Sequence, residues 1–175
     1  PSVEAYERHK EILFVGRLLP HKGVDLLIEA FKQLDLTCGW RLRIVGRPKD
    51  LSFFEQLKVS AKDLPIDFET SLSDEAVVEG YQRASVTVLP SMSSGEGSPA
   101  PELMGFTILE SQACGTPVVC SDSGPMREFI DEGVTGWVFE SGSVAALATA
   151  LEQAIADSEK DLGEVSLACR KQVEG

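Results

Sequence analysis

The chain has 175 residues, of which 43% are hydrophobic and 25% charged, which is typical of one globular domain. Its formal net charge of −12 argues against nucleic acid and anionic membranes as partners, because both require a basic protein face. No apolar run is long enough to span a membrane, and no signal peptide is recognisable.

The chain contains four cysteines, Cys38, Cys114, Cys120 and Cys169. They are widely spaced and form neither a CxxC pair nor a cluster with metal-ligand spacing. We therefore expect reduced, mostly buried thiols, which are typical of a cytoplasmic protein.

Residues 1–10 are polar and lack a hydrophobic pattern, so we predict a linker or a disordered start there. From residue 11 onward, apolar runs of strand length alternate with segments of helical periodicity. Strands are predicted at residues 11–17, 40–46, 66–69, 85–90, 117–121 and 135–140. Helices are predicted at residues 22–34, 51–62, 73–84, from about 105, 125–131 and 143–157. Residues 158–175 suggest a terminal helix or tail without a packing partner.

Several helix ends carry specific signals. Ser73 and Ser143 are placed to cap the amino termini of their helices. Pro125 suits the first position of the short helix that follows it, because its missing N–H is not needed there. Gly115 is placed to end the helix from residue 105 in the left-handed conformation.

Strands that read as continuous apolar runs are typical of a parallel sheet covered by helices on both faces. The sequence thus predicts an α/β fold over residues 11–157, a doubly wound, Rossmann-like parallel sheet of about six strands. Ligands of such sheets bind beyond the carboxyl ends of the strands, where the strand order reverses. The loops expected to gather there are residues 17–23, 46–49, 70–73, 91–105 and 121–125.

The stretch PELMGFTILESQACG, residues 101–115, contains Glu102 and Glu110 with seven residues between them. A helix that starts near Gly105 would offer free N–H groups and partial positive charge, which suit a phosphate. Carboxylates accept hydrogen bonds from vicinal hydroxyls, so a glutamate on each side would suit a sugar diphosphate. The alternative is a helix that merely carries glutamates on a solvated face. Glu96 is a rival for the first glutamate, but its spacing to Glu110 is wrong.

The loops also carry a family resemblance, which covers residues 11–157 in the expected order. FVGRLLPHKGVDLLIEAF, RLRIVGR, LSDEAVVEGYQRASVTVLPS and ELMGFTILESQACGTPVVCSDSGPMREFIDEGVTGWVFE resemble the carboxyl-terminal, donor-binding domain of GT-B glycosyltransferases. The most similar branch is the retaining family 4 of glycosyl transferases group 1. This resemblance implies that the chain forms one half of a GT-B fold.

The resemblance implies a role for each residue that matches the family pattern. Glu102 would be the catalytic glutamate that contacts the donor sugar near its reacting carbon, and Glu110 would bind the ribose hydroxyls. Arg17 and Lys22 would neutralise the nucleotide diphosphate. The remaining donor-binding positions would be Gly16 beside the phosphates, Leu72 against the nucleobase, and the backbone of Gly105, Phe106 and Thr107.

The implied function is transfer of a sugar from a nucleotide-diphosphate-sugar to an acceptor held by an amino-terminal domain of the same enzyme. No cofactor and no obligate metal are expected, and no DxD-type motif is placed near the diphosphate. Two alternatives share the architecture: a non-catalytic nucleotide-sugar binding module and a nucleotide-sugar epimerase. The family usually has glycine and then an aromatic after the first glutamate, whereas this chain has Leu103 and Met104. The loop at residues 91–101 is also longer than usual, and both departures lie against the donor sugar.

Overall fold

The computed structural model of the chain describes residues 7–92, 105–158 and 162–174. Within these ranges the strands are β1 (His9–Val15), β2 (Arg41–Val45), β3 (Ile66–Glu69), β4 (Ala84–Leu89), β5 (Val118–Ser121) and β6 (Gly136–Phe139). The helices are α1 (Val24–Phe31), α2 (Leu51–Ser60), α3 (Asp74–Arg83), α4 (Phe106–Ala113), α5 (Val144–Ser158) and α6 (Leu162–Glu174). Short 3₁₀ segments cover Pro20–Lys22, Leu36–Cys38 and Gly124–Phe129.

The six strands form one parallel sheet in the order β3-β2-β1-β4-β5-β6. This arrangement confirms the predicted Rossmann-like α/β fold. The strand order reverses between β1 and β4, so the loops after these two strands flank the point where such sheets bind ligands. The largest apolar cluster joins the sheet to α1, α2 and α5 on one face. Smaller clusters lie under α3 and α4.

Local sequence signals predicted the ends of most helices and strands to within two residues. Ser73 accepts a hydrogen bond from the Ala76 N–H at 3.3 Å, and Ser143 accepts one from the Ala146 N–H at 3.2 Å. Gly115 follows α4 with a φ of 78°, as predicted. The helix predicted at residues 125–131 is the 3₁₀ segment Gly124–Phe129, with Pro125 in its first turn.

The beginning of the described chain belongs to the fold, because β1 starts at His9, inside the stretch interpreted as a linker. Arg8 is the physical reason. Its guanidinium donates to the carbonyls of Tyr81 at 3.0 Å, Ala84 at 2.9 Å and Gly115 at 2.9 Å, and it also contacts the Thr116 hydroxyl. Burial, reinforced by nearby Arg170, lowers the pKa of Arg8 to about 10.

The expectation that the terminal helix lacks a packing partner was wrong. α6 packs against α4. Cys169, which lies on α6, is fully buried. Arg170 donates to the Cys114 carbonyl at 3.4 Å, and Gln172 donates to the Phe129 carbonyl at 2.9 Å. The apolar positions of α6 are sparse because polar side chains make much of this contact.

Candidate functional site

The loop after β1 packs onto the segment that follows β4. Gly23 has a φ of 68°, and a Cβ added there would lie 2.1 Å from the Pro90 carbonyl oxygen. The Met92 N–H donates to the His21 carbonyl at 2.9 Å. These contacts bring the loop at residues 16–23 to the point where the strand order reverses.

The predicted phosphate-binding residues Gly16, Arg17 and Lys22 all lie in this loop, but their environments differ. The Gly16 N–H donates to the Val45 carbonyl at 2.9 Å, which fixes the loop to the end of β2. Arg17 is exposed, whereas Lys22 is only 9% exposed. Arg17 can therefore meet a ligand from solvent, while Lys22 supplies positive charge from within the loop.

α4 begins at Phe106, and the residue before it, Gly105, is buried and has no side chain to cap the helix. A Cβ added at Gly105 would lie 3.0 Å from the Cδ1 atom of Ile108, a tight contact that this side chain would have to relieve by a small shift. Phe106 is 57% exposed and Thr107 is half-buried. The first turn of α4 thus has the free N–H groups and positive dipole end that suit an anion.

Glu110 lies on α4, one turn beyond Phe106, and its side chain is held from α3. The Tyr81 hydroxyl donates to the Glu110 carboxylate oxygen Oε2 at 3.1 Å. Tyr81 is 1% exposed, whereas Glu110 is exposed. A buried phenol therefore orients a carboxylate whose remaining acceptor positions face solvent.

The environment of Tyr81 keeps its hydroxyl protonated. Burial, followed by the charge and the hydrogen bond of Glu110, raises the pKa of Tyr81 well above its ordinary range, and a hydrogen bond with Thr107 acts in the opposite direction. Tyr81 therefore remains a hydrogen-bond donor to Glu110. Thr107, Tyr81 and Glu110 form one connected group at the start of α4.

A cavity of about 460 Å³ opens at the carboxyl ends of β1, β2 and β3 and reaches the first two turns of α3. Its size is that of a small-molecule site. Leu72, the predicted nucleobase contact, lies in the wall, and so do Gly16 and Arg17. Leu72 also packs against the cluster that contains Tyr81, so the cavity wall and the support of Glu110 share one apolar layer.

A row of charged side chains runs across β1, β2 and β3 below this cavity. Arg43 pairs with Glu69 at 2.6 Å and approaches Glu11 at 3.8 Å. Arg41 pairs with Asp67 at 2.6 Å, farther from the cavity. The α3-facing side of β1–β3 is therefore partly polar, in contrast to the continuous apolar strands expected from the sequence.

The structure thus brings Gly16, Arg17 and Leu72 to the cavity. It places Gly105 just before α4, and Phe106, Thr107 and Glu110 on that helix. The predicted catalytic residue, Glu102, lies outside the described residues, as do Leu103 and Met104.

Sequence reasoning missed three residues at this site. Gly46 must be small, because a Cβ there would lie 1.7 Å from the Gly16 carbonyl oxygen. Tyr81 supports Glu110, and Glu69 forms part of the cavity wall. The glycine that ends the strand motif WRLRIVG was the one available signal for Gly46. Tyr81 matched an ordinary core position of a helix, and Glu69 an ordinary strand end.

The described residues contain neither a metal-binding cluster nor a helix that could span a membrane. No group of three His, Cys, Asp or Glu side chains within them could hold a metal ion. Of the helices in residues 7–92, 105–158 and 162–174, none is long and apolar enough to cross a membrane.

Comparison with known proteins identifies the sequence family. A family model described as "Glycosyl transferases group 1" matches residues 1–165. A D-inositol 3-phosphate glycosyltransferase of Acidothermus cellulolyticus is 34% identical over 151 residues, which are 80% of this chain and 32% of that protein. A GDP-mannose-dependent alpha-(1-6)-phosphatidylinositol monomannoside mannosyltransferase of Mycolicibacterium smegmatis is 32% identical, over 83% of this chain and 38% of the relative. The chain therefore spans about a third of the length of these relatives.

Solved structures share the fold. Alr3699/HepE of Anabaena, solved in complex with UDP and glucose, aligns with a TM-score of 0.81 at 21% identity, over 95% of this chain and 44% of that one. The C-terminal domain of a glycosyl transferase group 1 family protein, LpcC of Francisella tularensis, aligns with a TM-score of 0.76 at 23% identity. That alignment covers 96% of this chain and 86% of the other.

Proposed function

Because the chain belongs to the glycosyl transferases group 1 family, we propose that it binds the nucleotide-diphosphate-sugar donor of a retaining, family 4 glycosyltransferase. The nucleobase enters the cavity lined by Leu72, and the ribose hydroxyls bind Glu110. The diphosphate lies between the loop at residues 16–23 and the first turn of α4. The solved UDP complexes of Alr3699/HepE support a nucleotide ligand for this fold.

The observation that carries this proposal is the hydrogen bond from buried Tyr81 to exposed Glu110. A carboxylate held in one orientation near the amino end of a helix can accept two hydrogen bonds from vicinal hydroxyls. The same helix end stabilises a phosphate through its free N–H groups. A helix with an incidental glutamate on a solvated face gives no reason for a buried phenol to hold that glutamate.

The electrostatics of the loop after β1 suit the leaving group of the reaction. When the bond between sugar and diphosphate breaks, negative charge grows on the phosphate oxygens. Arg17 and Lys22 supply positive charge from this loop, and the α4 dipole supplies more. These groups stabilise the departing nucleotide diphosphate without an obligate metal ion.

The remaining steps of transfer belong to residues beyond this site. Glu102 contacts the donor sugar near its reacting carbon, and an amino-terminal domain of the same enzyme binds the acceptor. The chain aligns with only 32% of the length of the first relative, which supports such an additional domain. The free thiols of the chain, two of them buried, support a cytoplasmic location.

Calorimetric titration with UDP, GDP and ADP tests donor binding directly. We expect the wild-type chain to bind at least one of these nucleotides, and we expect Glu110→Ala to weaken that binding by about tenfold, since it removes hydrogen bonds to a charged acceptor. Glu152→Ala is the matched control, because Glu152 is exposed on α5, which packs on α1.

The control must leave the affinity unchanged. Absence of binding for all three nucleotides, or equal binding by wild type and Glu110→Ala, would contradict the proposed function.

A further inference from the structure

The cavity beside Leu72 combines an apolar wall with charges of both signs. Its aliphatic side chains suit the flat face of an aromatic base, while its polar side chains can meet hydrogen-bonding groups on the edge of that base. The apolar lining residues are Val15, Val45, Leu72 and Val77. The charged lining residues are Arg17, Arg47, Lys49, Glu69 and Asp74.

Glu69 is the most firmly positioned of the carboxylates in this wall. Arg43 donates to it twice, from Nε to Oε1 at 2.6 Å and from Nη2 to Oε2 at 3.1 Å. Such a bidentate pair fixes the plane of a carboxylate. The Glu69 side chain is still 33% exposed, and Asp74 by comparison is exposed on the first turn of α3.

The Glu69 carboxylate keeps hydrogen-bonding capacity after Arg43 is satisfied. Two carboxylate oxygens offer about four lone-pair positions, and Arg43 uses two. Glu69 pairs in register with Val45, so both side chains lie on the same side of the sheet, where the cavity is. The free positions can therefore accept from a ligand in the cavity.

The nucleobases differ in what they offer a carboxylate. Guanine presents two adjacent donors, N1–H and the 2-amino group, and its O6 and N7 are acceptors that suit Arg47 or Lys49. Uracil offers a single N–H between two carbonyl oxygens, which a carboxylate repels. Adenine places an acceptor nitrogen beside its amino group. Guanine is the base whose edge matches a carboxylate beside cationic side chains.

We propose that this chain selects a guanosine-diphosphate sugar, with the Glu69 carboxylate accepting from the N1–H and 2-amino groups of guanine. The inference rests on the proposed function, since it assigns the base of that donor. Arg43 is a positioning residue for Glu69. Val15, Val45 and Leu72 pack against the base.

Nucleotide analogues test the proposal without any mutation. We expect calorimetry on the wild-type chain to rank GDP first, with UDP and ADP roughly ten- to a hundredfold weaker, the discrimination expected of one bidentate contact. Inosine diphosphate lacks the 2-amino group and should bind less tightly than GDP. Xanthosine diphosphate has a carbonyl at that place and should bind less tightly than both GDP and inosine diphosphate.

The variant Glu69→Gln provides a second test, because it should gain affinity for one nucleotide and lose affinity for another. The glutamine amide donates as well as accepts, so the variant should bind xanthosine diphosphate more tightly than wild type and GDP less tightly. The matched control is Asp67→Asn, which removes a paired carboxylate outside the cavity and should leave the ranking unchanged. Asp74→Asn removes the other carboxylate of the cavity and tests which of the two carboxylates reads the base.

The outcomes separate this inference from the proposed function. If UDP or ADP binds as tightly as GDP, or if Asp74→Asn rather than Glu69→Gln alters the ranking, the guanine assignment is wrong and donor binding stands. If no nucleotide binds, both proposals fail. A thermal melt of each variant shows that it is folded, and the analogue series on the wild-type chain needs no variant.

Discussion

Individual residues at this site act through partners that are far away in the chain. Tyr81 and Glu110 are 29 residues apart, and the phenol of one orients the carboxylate of the other. The effect of Tyr81 on a ligand must therefore pass through Glu110. A substitution that removes the hydroxyl alone isolates that effect.

We predict that Tyr81→Phe weakens nucleoside diphosphate binding by roughly three- to tenfold, because Glu110 loses a fixed donor. The same variant should bind the 2′,3′-dideoxy nucleotide as wild type does, since that ligand lacks the hydroxyls that Glu110 contacts. Calorimetry with both ligands measures the difference. A purely structural role of Tyr81 would weaken both ligands equally and contradict this prediction.

The charged form of Glu11 reduces the folding stability of the chain. Burial raises the pKa of Glu11 above its ordinary value, and the opposing effect of Arg43 is smaller. The Glu11 oxygen Oε1 is buried and has no hydrogen-bond partner among the described residues. Because the folded-state pKa exceeds the unfolded one, stability is complete below the unfolded pKa and falls as the pH rises through the folded pKa.

We therefore expect Glu11→Gln to raise the Tm at pH 7, because partial burial disfavours the charged form of the wild-type side chain. The difference should shrink as the pH falls below the pKa of an ordinary glutamate, where both chains carry a neutral side chain. Thermal melts from pH 3 to pH 8 measure it. Glu55→Gln, at an exposed position, should show no such pattern, and a lower Tm for Glu11→Gln at pH 7 would refute the prediction.

At the scale of elements, α3 connects the two parts of the proposed donor site. Asp74 and Val77 line the cavity from its first two turns, and Tyr81 reaches Glu110 from its third. The Ser73 cap fixes where this helix begins. α5 is capped in the same way by Ser143, but it packs on α1 and has no such role.

This pair of caps gives a matched test. Ser73→Ala and Ser143→Ala should each reduce the free energy of unfolding by about 1 kcal/mol, as loss of a serine cap does. Ser73→Ala should also weaken nucleotide binding, because the cavity wall frays, whereas Ser143→Ala should not. Urea denaturation and calorimetry measure the two effects. Equal effects of both variants on binding would show that α3 does not shape the site.

At the scale of the whole molecule, the proposed function assigns this chain the donor half of the transfer reaction. The sheet gathers the cavity beside Leu72, the loop at residues 16–23 and the start of α4 at one edge. A sugar acceptor needs a second surface opposite that edge, and the chain spans about a third of its first relative. This chain should therefore bind the nucleotide without catalysing sugar transfer.

We expect the isolated chain to bind nucleotide but to show little or no sugar transfer or donor hydrolysis. Incubation with UDP-glucose and GDP-mannose, followed by chromatography for released nucleotide, measures this. Rapid turnover by these 175 residues would show that the chain itself completes the reaction and would overturn the expectation.

The sequence alone determined the alternation of strands and helices, the caps Ser73 and Ser143, the left-handed Gly115 and the position of Glu110 on α4. Each of these depends on residues within one or two turns, where periodicity and backbone chemistry act directly. The family motifs added the prediction that Arg17 and Lys22 meet a nucleotide diphosphate, and this role stays a prediction. Glu102 stays a prediction.

Only the tertiary structure decided which distant residues meet. It joined Tyr81 to Glu110, Arg43 to Glu69 and Arg8 to the Gly115 carbonyl, pairs that are between 26 and 107 residues apart. It also placed α6 against α4, through polar contacts that a hydrophobic pattern does not reveal. The physical reason is the same in each case. A hydrogen bond or close approach between separate elements depends on strand order and helix packing, which no local spacing in the sequence records.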